Sequence, residues 1–180
     1  METIYLCIVI FLLCLAVFDL FVGVSNDAVN FLNSAIGAKV AKFRTVLIIA
    51  SVGVAIGAVM STGMMDVARH GIMKPDHYSY EEVMTIFLAV MVTDVIVLDM
   101  FNTLGMPTST TVSLVFELLG GTFILATLKL VSDPSLTYND LLNSDKALSV
   151  IIAIFVSVAI AFVFGIIVQW ISRIVFTFNY

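Results

Sequence analysis

The sequence predicts an all-α integral membrane protein with about five transmembrane helices, supplemented by re-entrant or broken helices. Three observations carry that prediction. The 180-residue chain is 61% hydrophobic and only 12% charged, whereas soluble domains average about 25% charged residues; its mean hydropathy is +1.15. Its apolar residues gather into stretches close to the ~20 residues that cross a bilayer. Two short polar clusters, Ser25-Asn26-Asp27-Ala28-Val29-Asn30 and Pro107-Thr108-Ser109-Thr110-Thr111, interrupt this pattern where an apolar stretch ends or pauses.

The predicted spans are Ile4 to Val24, Val46 to Met64, Val83 to Leu104, Val112 to Val131 and Leu148 to Phe178. No positive n-region or small-residue cleavage pattern marks the first as a removed signal, so it is expected to be retained. Cys7 and Cys14, seven residues apart, are separated by about 10 Å on a helix and cannot bridge each other. Gly63 and Gly71 punctuate the turn after the second span. Ser79-Tyr80-Glu81-Glu82 has the form of a capping box opening the third. Asp133-Pro134 begins the longest polar loop. The fifth stretch is long enough to tilt, and Trp170, Arg173 and Tyr180 suit an interfacial end.

Residues 25–36 and 107–112 are too short to cross. Each is expected to form part of a re-entrant hairpin or a broken helix, the alternative being a surface turn between spans. Residues 1–180 are read as a single transmembrane domain. Five crossings place the termini on opposite faces, so a second copy fused behind would enter inverted, the arithmetic of an inverted-repeat transporter. No repeat lies within these residues, and the chain is expected to be one half of such a transporter, completed by a second repeat or by homo-oligomer formation. Lys39, Lys42 and Arg44 put their loop on the cytoplasmic side and the N-terminus outside. A multi-pass protein of the cell (inner) membrane is expected, with the lipid bilayer as its surroundings and no basic surface for nucleic acid.

Polar groups at membrane depth are costly unless they line an enclosed or watery cavity. Ser25, Asn26 and Asp27 are good N-caps; Asp27, Asn30 and Ser34 lie on one helical face and offer the hard oxygen donors an alkali cation accepts. In the second cluster, Pro107 suits a first helical turn, and Ser109, Thr110, Thr111 and Ser113 would surround free N–H groups at a positive helix end, where an anion binds. The competing reading is that these hydroxyls bond back to helix carbonyls. An anion beside Asp27 is repelled unless a cation neutralises it, so the two clusters together predict cation-coupled anion transport driven by Na⁺ or H⁺. Asp99 and Glu117 are further candidates at depth, as is Asp19; Asp94, about 140° around the helix from Asp99, is expected to be a hydrogen-bonded or protonated structural acid. His70, Asp76 and His77 match no common metal-ligand spacing, so no transition-metal site and no cofactor beyond the coupling ion is expected.

The first cluster, followed by Ser34-Ala35-Ile36-Gly37, resembles the G-A-N-D-V-A-N-A…T-S-V-G signature of the inorganic phosphate transporter (PiT) family. Pro107-Thr108-Ser109-Thr110-Thr111 resembles its P-V-S-T-T-H element, and Asp66-Val67-Ala68-Arg69-His70-Gly71 its E-T-I-R-K-G turn. The resemblance implies uptake of inorganic phosphate by symport with Na⁺ or H⁺ through two inverted repeats, this chain resembling the N-terminal one. It assigns Ser109, Thr110 and Thr111 to phosphate oxygens, Asn26, Asp27 and Asn30 to the cation and phosphate site, and Asp66 to the position of the family's acidic residue; the polar stripe itself adds Ser34 to the cation candidates and Ser25 to the phosphate candidates. Val112 stands where the family pattern has His, and Val24 where it has Gly. Alternatives are a sulfate transporter of the same architecture or a non-transporting assembly or sensing module. An intramembrane aspartyl protease would leave the hydroxyl run around Ser109 unexplained.

Overall fold

The computed structural model describes residues 2–61, 71–106 and 108–177. Its long elements are α1 (Glu2–Gly37), α2 (Phe43–Met60), α3 (Tyr80–Thr103), α4 (Thr110–Ser132) and α6 (Ser144–Phe176), with a short α5 (Tyr138–Leu141) before the last. All five long helices have the length and apolar content to cross a membrane. The protein is therefore a multi-pass, all-α membrane protein, as the composition predicts. The chain divides into two compact units, Met1–Asn143 and Ser144–Tyr180. The second is the single helix α6, with large apolar side chains such as Phe155, Phe162 and Trp170 exposed around it, as suits a helix in lipid.

Within the first unit, cross-helix bonds fix direction. Tyr5 Oη donates to Glu81 near the start of α3, and Asn102 Nδ2 near its end donates to the Val22 carbonyl at 3.2 Å; α1 and α3 thus run parallel. Lys129, late in α4, meets Glu82, early in α3, at 2.6 Å, so α3 and α4 are antiparallel. The packed seam of α3 recurs every fourth residue, with Ile86, Val90, Asp94 and Leu98 all buried, as a helix face requires. Val115, Leu118, Thr122 and Ala126 form the buried seam of α4.

The end of the unit that carries the start of α3 is closed by polar chemistry. Ser79 caps α3 in a complete capping box with Glu82, as expected. Lys129 Nζ also donates to the His77 carbonyl at 2.6 Å and lies 4.9 Å from the centre of the Tyr78 ring. Burial, with the Glu82 charge adding to it, pushes the Tyr78 phenol up to about 12, which keeps its hydroxyl a donor to the Leu141 carbonyl at 3.3 Å. An isolated antiparallel bridge joins Met73 to Leu142.

Two expectations about chain breaks change. Residues 25–36 form no separate broken or re-entrant element: α1 continues without interruption for 36 residues, ~54 Å at 1.5 Å per residue. Nothing in that segment forces a break, because it contains no proline and its single turns of polar residues alternate with Ala28, Val29, Phe31 and Leu32. Among the described residues, the second segment is the connection from α3 to α4. Gly105, at φ +68°, supplies the left-handed residue that closes α3, and Thr110 to Val112 are the first turn of α4 rather than an element of their own. Gly63, Met64, Asp66, Arg69, His70, Pro107, Phe178 and Tyr180 lie outside the described residues.

Removing the α3 cap tests this end of the unit. Ser79→Ala is expected to lower stability by about 1 kcal/mol, read as a lowered thermal unfolding midpoint of the detergent-solubilised protein. A midpoint equal to the parent's would show that the capping box carries no net stability.

Candidate functional site

Asn26 organises the site. It sits on α1 with no exposed surface, and its amide pairs with both backbone groups of one residue in the α3–α4 connection. Its Nδ2 donates to the Thr108 carbonyl at 2.6 Å, while its Oδ1 accepts from the Thr108 N–H at 3.0 Å. Asn30, one turn further, donates to the same carbonyl at 3.0 Å. Two amides spaced by four residues thus hold an otherwise unpaired stretch of backbone, and the cost of burying that backbone is met by donors and acceptors of matching geometry.

This clamp positions the N-terminus of α4 against Asp27. Ser109 is the N-cap, its Oγ accepting from the Val112 N–H at 3.4 Å. Thr110 Oγ1 donates to both oxygens of Asp27, at 3.3 and 3.2 Å. The first N–H groups of a helix have no intrahelical acceptor and carry a partial positive charge, and the Thr110 hydroxyl holds the Asp27 carboxylate beside that end of α4.

Asp27, Thr110 and Thr111 line a cavity of about 290 Å³ together with Asp19 and Asp94. Leu20, Val24, Leu98 and Leu114 supply its apolar walls. Asp94 is 4% exposed. One oxygen each of Asp19, Asp94 and Glu117 is buried without a hydrogen-bond partner, and the other Glu117 oxygen accepts from Ser113 Oγ at 2.8 Å.

The structure therefore brings Asn26, Asp27, Asn30, Thr110 and Thr111 together, across 80 and more positions of sequence. Ser25 and Ser34 are exposed on α1, and Ser109 acts in the cap. The three polar residues at 25–27 lie inside α1 and do not cap a helix. Asp99 is exposed on α3 and is not among the residues lining this cavity, whereas Asp94 is. The sequence reading set Asp94 aside as a structural acid. A signal existed: Asp94 is four residues before Leu98 and eight before Asn102, on the stripe that faces α1. Likewise Asp19, Gly23 and Asp27 are spaced by four along α1.

Loss of the clamp has a calculable cost. Asn26→Ala leaves the Thr108 N–H without its partner while Asn30 still donates to the Thr108 carbonyl, and an expected destabilisation of about 1–3 kcal/mol follows from one orphaned backbone donor. The check is thermal unfolding combined with the rate of thiol labelling at a cysteine introduced at Met106. Unchanged stability with unchanged labelling would remove Asn26 from its organising role.

The model of a family described as the phosphate transporter family, PHO4, matches residues 23–179. That span takes in both clusters and all of α2, α3 and α4. No curated protein and no solved structure matches the chain.

Proposed function

The chain belongs to the phosphate transporter family, and from that premise we propose that it binds inorganic phosphate at the N-terminus of α4 and moves it across the membrane with Na⁺ or H⁺. Membership makes it a membrane transporter of a phosphate-handling kind, which also argues for transport over catalysis. The observation that carries the finer reading is the contact between Thr110 and Asp27. It places a carboxylate, two threonines and the free N–H groups of a 23-residue helix at one edge of one cavity.

Phosphate and Asp27 compete for the same positive helix end. Two like charges about 4 Å apart repel by about 4 kcal/mol at an effective dielectric of 20. The anion therefore enters when Asp27 is neutralised or screened, by a cation held by Asp27 and Asn30 or by a proton. Cation binding and phosphate binding become linked through this one carboxylate, which is the requirement for symport. The hydroxyls of Thr110 and Thr111 donate to phosphate oxygens, and Ser109, although its lone pair serves the cap, retains an O–H to donate. Ser25, Asn26 and Ser34 complete the assignment proposed from the motifs, with Asn26 acting through the backbone it holds.

The two clusters occur once each in this chain, so we further propose that a second repeat, or a second copy of the chain, completes the pathway in the cell membrane, with the N-terminus outside.

The test is binding of radiolabelled phosphate to the reconstituted protein with Na⁺ present and absent, and with excess sulfate as competitor. Sulfate carries no proton at neutral pH, and failure to displace phosphate would support the phosphate assignment over the sulfate alternative. Asp27→Asn is expected to abolish most of the cation dependence of phosphate binding, a change of at least about tenfold, with little loss of stability. Thr110→Val is expected to lower phosphate affinity by about tenfold, on the order of one hydrogen bond to a charged group. Cation dependence unchanged in Asp27→Asn, or affinity unchanged in Thr110→Val, would sink this site.

A further inference from the structure

The cavity beside Asp27 contains acids that the phosphate site does not use. Asp19 on α1 and Asp94 on α3 line it together and interact through their side chains, with Glu117 and Ser113 of α4 also close to Asp94. Asp94 is 96% buried by its 4% exposure, and one oxygen of each aspartate accepts no hydrogen bond. The neighbouring donors are shared: Thr110 Oγ1 gives its proton to Asp27, and Ser113, which donates to Glu117, also lies within hydrogen-bond reach of Asp94, leaving the second Asp94 oxygen without a partner. No lysine or arginine lines the cavity.

Two ionised carboxylates held together between apolar walls repel strongly and forfeit hydration, a cost that burial without a partner does not offset. A cation must join them. A proton needs two acid oxygens within reach of one another, and Asp19 and Asp94 each bring an unpartnered buried oxygen to the same cavity.

We propose that Asp19 and Asp94 form a proton-binding carboxyl pair, and that this proton is the coupling ion for the phosphate site at Asp27. One proton from water forms an O–H bond on one aspartate and a hydrogen bond to the other, reducing the pair from two negative charges to one. The same step lowers the negative potential in the shared cavity, which Asp27 also lines and where phosphate must enter. Release returns the proton to water and restores the repulsion. The pair's location is independent of the phosphate reading; only its role as coupling site rests on that reading.

Infrared spectroscopy of the reconstituted chain, in choline buffer without phosphate or sodium, tests the pair alone. The expected result is a protonated-carboxyl absorption at neutral pH. It is lost in Asp19→Asn and in Asp94→Asn and retained in Asp94→Glu. Absence of the band in the parent, which needs no variant to fold, or its survival in both asparagine variants, overturns the pair. Coupling is then read from phosphate affinity against pH without sodium. Phosphate's own titration is common to both proteins, so the parent's affinity is expected to fall more steeply with rising pH than that of Asp94→Asn, by up to about tenfold per unit for one linked proton. Equal slopes overturn the coupling role. A parent that binds no phosphate at any pH sinks the phosphate site instead, and the infrared band still decides the pair.

Discussion

The pairing of the Asn26 amide with the backbone of Thr108 is the constraint on which the rest of the site depends. A connection between two helices has N–H and carbonyl groups that its own helices cannot satisfy, and where it packs against α1 those groups need partners from the protein. A primary amide is the side chain suited to this task, because it presents a donor and an acceptor in one plane, as the backbone does. With both Thr108 groups held at 2.6 and 3.0 Å, the start of α4 is fixed in distance and direction relative to α1. The Thr110–Asp27 contact and the cavity beneath it are consequences. The clamp is thus a positioning device, and its chemistry is separate from that of the groups it positions.

Continuity of α1 gives the arrangement its second property. Asp19, Asn26, Asp27 and Asn30 fall within about 100° of one another around the helix axis, at 100° per residue. They therefore lie on one face of one unbroken rod, opposite α3 and α4. A helix that broke at Gly23 would let the acid deep in the unit and the clamp near the connection move separately. In a single helix, the separation between Asp19 and Asp27 is set by the rise per residue, about 12 Å for eight residues. Charge placed at one position is felt at the other through a low-dielectric path, with little water to screen it.

How much of this was legible in the sequence depends on the range of the interaction. The helices were legible because hydropathy is a local property: the third span was expected from Val83 to Leu104 and found as Tyr80–Thr103, with Ser79 as its cap. The two polar clusters were legible as unusual, since oxygen-rich residues at depth need a reason. Their meeting was given by the family resemblance and by the electrostatic argument linking Asp27 to an anion, but which atoms meet was not. The expectation of a break at residues 25–36 failed because Ser, Asn and Asp were read by their preference for caps. That preference reflects competition from local backbone bonds, and here the Asn26 and Asn30 side chains find partners 82 and 78 residues away. Tertiary bonds removed the competition, and the helix ran on. The place of Asp94 beside the site was not legible for a related reason. Its distance around the helix from Asp99 was correctly drawn, but sequence spacing cannot say which of two opposed faces meets α1, and it is the face of Asp94 that does.

The balance of polar and apolar surface explains why the acids sit where they do. The outward faces of α1, such as Phe18 and Phe21, are apolar and exposed, and an acid there would meet lipid with no relief. Turned inward, Asp19 and Asp94 line one cavity that also reaches Asp27. A buried acid pair of this kind destabilises the unit whenever it is fully ionised, and well-packed apolar residues at the same positions would hold the three helices together more cheaply. Retaining carboxylates there is therefore a poor solution for stability alone. It is a good one for a molecule that must change its affinity for an anion, because the energy of the charged and neutral states differs most where solvent is least able to equalise them. The arrangement concentrates that difference within one helix face of the positive end of α4, the place proposed for the incoming anion.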